Sequence, residues 1–119
     1  MYVGLGGFVG STLRYGISLL SYRLLPVQVI PYGTLLVNCI GCLSIGFILG
    51  FFKKINLNIE NYNLFLITGL LGGLTTFSTF GNESIKLLQS GESELFFINV
   101  FLNIFFSLFF VWLGYFVNQ

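Results

Sequence analysis

The chain has 119 residues, 55 % apolar, 18 % aromatic and only 8 % charged, with mean hydropathy +0.92 and net charge +1. A soluble domain carries about 25 % charged residues, and one this small leaves much of its area in water, so this much apolar surface would not be hidden. There is no His, and all four acids are Glu, which removes imidazole bases, metal-binding imidazoles and Asp-containing triads; an enzyme is not expected. No basic cluster is present, so nucleic acid is not an expected partner. The chain reads as an integral membrane protein.

A membrane-spanning helix needs about 20 mostly apolar residues. Charge-poor stretches of that length lie at 2–22, 31–52, 62–82 and 95–117. Between them fall Arg23 to Pro31 with Pro26 inside, Lys53-Lys54 through Asn56, Asn58, Glu60 and Asn61, and Lys86 to Glu94. The last stretch is apolar on both parities, unlike a barrel strand, so the expected fold is all-α, a single transmembrane domain over 1–119. Met1-Tyr2-Val3-Gly4 lacks the basic start of a cleaved leader, and none is expected.

Helix 1 carries Gly6 and Gly10 four apart, and Arg14 makes it the weakest of the four spans. Helix 2 repeats the small-residue spacing at Cys42, Gly46 and Gly50, as helix 3 does at Gly69 and Gly73; such spacing lets helices approach closely in lipid. Cys39 and Cys42 form a C-x-x-C with no second pair and no His, whereas zinc wants four ligands; they read as packing residues. Thr34 and Asn38 share one face of helix 2, and an amide at mid-membrane needs another helix, an ion or water.

Helix 3 is apolar to Ile67, then reads Gly69-Leu70-Leu71-Gly72-Gly73-Leu74-Thr75-Thr76-Phe77-Ser78-Thr79-Phe80-Gly81. Paired glycines before four hydroxyl residues are poor continuous helix. A break at membrane depth is tolerated only where protein or a water-filled cavity satisfies the backbone, and it offers carbonyls to cations and donors to anions. The alternative is a mere kink. Phe77 and Phe80 lie three apart, so a resumed helix puts both rings on one side, and their positive edges suit an anion better than a cation. Glu83 is either a solvated helix-end charge or an intramembrane acid on a conduction path; Glu60, Glu92 and Glu94 read as solvating charges. On helix 4, Asn99, Asn103 and Ser107 are four apart and rotate by about 40° per step, forming one narrow stripe. It serves as interhelical glue or as a polar track for something that crosses.

With four spans, both termini and Lys53-Lys54 share one side and Arg23 and Lys86 the other. The positive-inside rule finds almost no asymmetry there. The expectation is insertion in both orientations with antiparallel pairing, against a single fixed topology.

The runs Gly6-Gly7-Phe8-Val9-Gly10 through Arg14-Tyr15, Gly33-Thr34-Leu35-Leu36-Val37-Asn38-Cys39-Ile40-Gly41, and Gly72-Gly73-Leu74-Thr75-Thr76-Phe77-Ser78-Thr79-Phe80 resemble the signatures of the Fluc (CrcB) fluoride channels. Three of four helices match in order, length and spacing, and the third run is the specific one. The resemblance implies an antiparallel dual-topology homodimer in the cell membrane, or a pair with a homologous second subunit, with two fluoride pores. It implies a central sodium ion on the backbone carbonyls of Gly72 and Thr75. It places the pore asparagine at Asn38, the pore phenylalanines at Phe77 and Phe80, adjoining hydroxyls at Ser78 and Thr79, a pore glutamate at Glu83 and the first-helix arginine at Arg14. The family's helix 4 track, a tyrosine then two serines, falls on Asn99, Asn103 and Ser107, so two asparagines stand where the family has Tyr and Ser.

Both lines of reading converge on passive fluoride export that relieves the cell of accumulated ion. Burying a bare ion costs tens of kcal/mol, so donors and ring edges must replace its water in sequence, while release requires weak binding. A small multidrug-resistance exchanger needs an acid in helix 1, and this chain has none before Glu60. A non-transporting accessory subunit explains the glycines but not the Thr-Thr-Phe-Ser-Thr-Phe break.

Overall fold

The computed structural model describes residues 1–25, 29–55 and 62–118, and every regular element among them is a helix. Helix α1 is Tyr2–Leu24 and α2 is Tyr32–Lys54. The third apolar stretch is divided. Its first part, α3 (Asn63–Leu71), is wound in the wider π form. One α-turn, α4 (Gly72–Leu74), follows, and α5 runs Phe77–Gln89. Helix α6 is Ser93–Val117. Each expected span has a counterpart, the third prolonged to Gln89. Pro26, Asn56, Asn58, Glu60 and Asn61 lie outside the described residues.

Three stretches, α2, Asn63–Gln89 and α6, are long and apolar enough to cross a membrane. Helix α1 has the length, 23 residues, but its Arg14, Arg23, hydroxyls and glycines hold its hydropathy below theirs. Three of the four expected spans meet that criterion, and the exception is the one that Arg14 weakens. The protein is multi-pass.

Local chemistry sets the ends. Pro31 precedes α2, where its missing N–H costs nothing and its carbonyl takes Leu35 N–H at 3.3 Å. Helix α5 closes on Gly91 at φ +82°, a conformation glycine adopts without strain. Glu92 N–H reaches the Leu87 carbonyl at 3.0 Å and Gly91 N–H that of Leu88 at 3.2 Å, the paired bonds of a Schellman cap. The turn is tight, so α5 and α6 run back antiparallel side by side.

Helix α1 lies along α3 and α4, and α2 along α6. Both seams use the four-residue spacing of small residues. A Cβ on Gly10 would sit on the Leu70 carbonyl, and one on Gly73 would meet the Gly7 carbonyl at 2.7 Å. Across the other seam, a Cβ on Gly46 would strike the Val111 carbonyl, and one on Gly114 the Leu43 carbonyl. The obstructing atoms are backbone, which cannot swing aside.

Burial is inverted relative to a soluble protein. Helix α6 buries Asn99, Asn103 and Gly114. It exposes Phe97, Phe101, Phe105, Phe109 and Trp112, with Phe101 stacked on Phe105 at 5.4 Å and Phe105 on Phe109 at 6.2 Å. Lipid tails are as apolar as those rings, so nothing drives them inward, whereas amides seek one another.

Gly46→Ala and Gly114→Ala should each cost roughly 1–3 kcal/mol of stability in detergent, as overpacking does. The double variant should cost less than the sum, because one separation of α2 from α6 accommodates both methyls. Thermal unfolding of the three variants measures this; strict additivity would place the two glycines on independent contacts.

Candidate functional site

The helix stops at Leu74 because Thr75 (φ −77°, ψ 158°) and Thr76 (φ −153°, ψ 120°) are both extended. Thr76 then caps α5, its Oγ1 accepting Thr79 N–H at 3.2 Å. The exposed backbone of Thr76 is taken up by Asn38 on α2. Asn38 Oδ1 accepts Thr76 N–H at 2.9 Å, and Nδ2 donates to the Thr76 carbonyl at 3.3 Å and to Asn103 Oδ1 at 3.2 Å.

The break releases backbone acceptors. In an uninterrupted α-helix Thr76 N–H would bond the Gly72 carbonyl and Thr79 N–H that of Thr75. Both donors are turned onto side-chain oxygens instead, of Asn38 and of Thr76. The carbonyls from Gly72 to Thr75 all leave the helical ladder, and those of Gly72 and Thr75, the residues the resemblance marks as cation ligands, are among them.

Phe77 and Phe80 project to one side as the three-residue spacing requires, with centroids 5.3 Å apart and planes at 61°. They differ in environment: Phe77 is 81 % exposed and Phe80 only 7 %. A cavity of about 390 Å³ opens beside the break, walled by Asn38, Cys42, Gly72, Thr75, Phe77 and Ser107 among others. A second, of about 430 Å³, is walled by Ser18, Thr34, Thr79, Asn82, Glu83 and Lys86 among others. Glu83 points into the fold and is no solvated helix-end charge. Its Oε1 accepts the Thr34 hydroxyl at 2.9 Å, while Oε2 is enclosed without a hydrogen-bond partner. The Thr76 hydroxyl lies 3.3 Å from Ser78 Oγ and donates to Thr79 Oγ1 at 3.0 Å, so the hydroxyl run is one cluster.

The fold thus joins Thr34 with Glu83, Asn38 with the break and Asn103, and Asn99 with Asn103, whose Nδ2 donates to Asn99 Oδ1 at 3.1 Å. Ser107 stands further along the same stripe, at the first cavity. Arg14 is half-buried on α1 and walls neither cavity. Cys39 and Cys42 are free thiols. Ser84 was not among the expected site residues, yet it is buried and receives Asn99 Nδ2 at 3.0 Å. Positions 84 and 99 are equally far from the turn at Gly91 and Glu92, which sets them at one level of the hairpin, and the fold turns them toward each other.

The model of the family described as CrcB-like protein, Camphor Resistance (CrcB), matches residues 1–115. The chain belongs to the CrcB family. It is 47 % identical to a protein of Clostridium perfringens (strain 13 / Type A) over 96 % of this chain and 88 % of that one. It is 44 % identical to one of Desulfotalea psychrophila over 98 % and 89 %, and 43 % identical to one of Campylobacter fetus subsp. fetus over 98 % and 90 %. Each of the three bears the name fluoride-specific ion channel FluC. The CrcB match runs into α6 as far as Tyr115, so the break, both rings and the asparagine row all fall inside it.

In this CrcB chain Asn38 is the residue that satisfies the break. Asn38→Ala should raise hydrogen exchange at the Thr76 amide by about tenfold or more, since an unmade bond to a buried donor costs roughly 1–3 kcal/mol. Exchange in the middle of α6 should stay nearly constant. Unchanged protection at Thr76 would show that something other than Asn38 holds the break.

Proposed function

We propose that this protein is a passive, fluoride-selective channel that lets accumulated fluoride leave the cell. One observation carries the reading: extended backbone at Thr75–Thr76, at the depth of an apolar stretch, is followed at once by an edge-paired Phe77 and Phe80 and lies between two cavities. The name borne by relatives 43–47 % identical over nearly the whole chain supports it.

A halide that sheds its water needs replacement partners at each step, because burying the bare ion costs tens of kcal/mol. The pathway invoked runs from the Thr34, Thr79 and Glu83 cavity past Ser78 and the edges of Phe80 and Phe77 to the cavity of Ser107, with Asn38, Asn99 and Asn103 forming the polar wall behind it. Ring edges carry positive partial charge and bind an anion without the tightness of a full cation, which leaves release fast. Passive flow needs no covalent chemistry, so no catalytic residue is assigned.

The working unit invoked is an antiparallel, dual-topology homodimer with four spans per chain and two pores. The near-balance of positive charge between the two sides of the membrane supports it. A structural sodium ion at its centre fits the released carbonyls of Gly72 and Thr75, since alkali cations take hard oxygen ligands and carbonyls free of the helical ladder supply them. Bound there, it would offset the negative ends of carbonyl dipoles brought together from two chains.

Liposomes holding the pure protein should release fluoride rapidly and chloride scarcely at all, and Phe80→Ile should slow fluoride severely while leaving oligomer size unchanged by light scattering. Equal release of both halides would remove the selectivity. Tags on the two termini should each be found on both faces of the membrane, although any one molecule carries both on the same face. Recovery on a single face would refute dual topology.

A further inference from the structure

The polar side chains behind the break form one directed series, and its direction follows from a single atom. Thr76 N–H can only donate, so the group of Asn38 that meets it must be Oδ1. Asn38 therefore presents Nδ2 to Asn103, which must answer with Oδ1 at 3.2 Å. Asn103 is then left with Nδ2 toward Asn99, where the backbone carbonyl accepts at 3.0 Å and Oδ1 at 3.1 Å. That commits Asn99 Nδ2 to Ser84 Oγ at 3.0 Å. With its lone pair so used, the Ser84 hydroxyl sends its proton to the Phe80 carbonyl at 2.8 Å. Every member from Thr76 to Phe80 is buried, Asn99 completely at 0 % exposure.

We propose that Ser84, Asn99 and Asn103 are positioning residues: a one-way hydrogen-bond relay from the Thr76 N–H to the Phe80 carbonyl clamps the break and the ring-bearing first turn of α5 to α2 and α6. Both amide protons of Asn38 and both of Asn103 are spent on protein acceptors. These two amides hold the wall of the pathway. The relay begins at the residue that caps α5 and ends one turn later, so it spans the helix start, whose first N–H groups have no helical partner. Each amide polarises the next, because its acceptor oxygen and donor nitrogen share one conjugated group, and a fault at Ser84 is felt at Thr76. A buried donor left without a partner is costly, which makes the series respond as a unit. The conduction part of the test rests on the channel reading; the spectroscopic part does not.

The test compares Ser84→Ala, which removes the terminal link, with Ser84→Thr, which keeps the hydroxyl; Ser84→Cys, a weak donor of similar size, replaces the first should it fail to assemble. In detergent, Ser84→Ala should shift the Thr76 amide proton and the Asn38 and Asn103 side-chain amide resonances upfield, and Ser84→Thr should return them. In liposomes, Ser84→Ala should slow fluoride efflux about tenfold, and Ser84→Thr should restore it to within about threefold. Shifts confined to Asn99 and α5, or failure of Thr to restore what Ala removes, would overturn the relay. Normal relay shifts in a wild-type protein that releases no fluoride would instead refute the channel reading and leave the relay standing.

Discussion

Backbone in hydrocarbon must find partners for its N–H and C=O groups, and at Thr76, whose N–H has left the helix, both groups meet one carboxamide, that of Asn38. Asparagine suits this place because its side chain repeats the donor–acceptor pair of a peptide unit on a short tether. A hydroxyl donates and accepts from a single atom and so cannot reach both separated groups of one residue, and a carboxylate has no donor. With the Thr76 backbone satisfied, Thr75 and Thr76 remain extended, the carbonyls from Gly72 to Thr75 leave the helical ladder, and α5 restarts with Phe77 and Phe80 turned the same way. Without it, the segment would have to wind into a continuous helix or leave its polar groups unpaired.

The rest of the fold places Asn38 within reach. Helix α2 is fixed along α6 by Gly46 and Gly114, whose missing side chains let the backbones touch, and this brings Asn38 to Asn103. Helix α1 does the same for the other half of the broken stretch, through Gly10 and Gly73. In lipid such close approach substitutes for the hydrophobic effect that would assemble a soluble core. Weak dispersion contacts and a handful of amide bonds therefore carry the assembly, and the large apolar side chains face outward. Each glycine on a seam thereby acts on the site at a distance, because separating α2 from α6 also separates Asn38 from Asn103.

Much of this was legible in the chain itself. Charge-free stretches, four-residue glycine spacing, and the Gly-Gly run ahead of four hydroxyl residues point to helices, seams and a break, because each depends on residues adjacent in sequence. The edge pairing of Phe77 and Phe80 follows from their spacing and the geometry of a resumed helix. The π winding of α3 has no such signal: nothing in Asn63–Leu71 favours wide turns, and the close approach of α1 along that segment is a tertiary matter. Ser84 escaped notice because a lone serine four residues beyond a phenylalanine is unremarkable until the hairpin at Gly91 folds it onto Asn99.

Composition and periodicity by themselves determined the solvent, the helical class and the position of the break, since apolar content and local propensity act within a turn or two of chain. Folding decided which amides have protons to spare. Asn38, Asn99 and Asn103 look alike as polar residues in apolar helices, and only their meeting across α2, α5 and α6 links their amides in a fixed direction. Hydrogen bonds are short-ranged and saturable, so what a side chain offers an ion depends on neighbours tens of residues away, and those are assigned by packing alone.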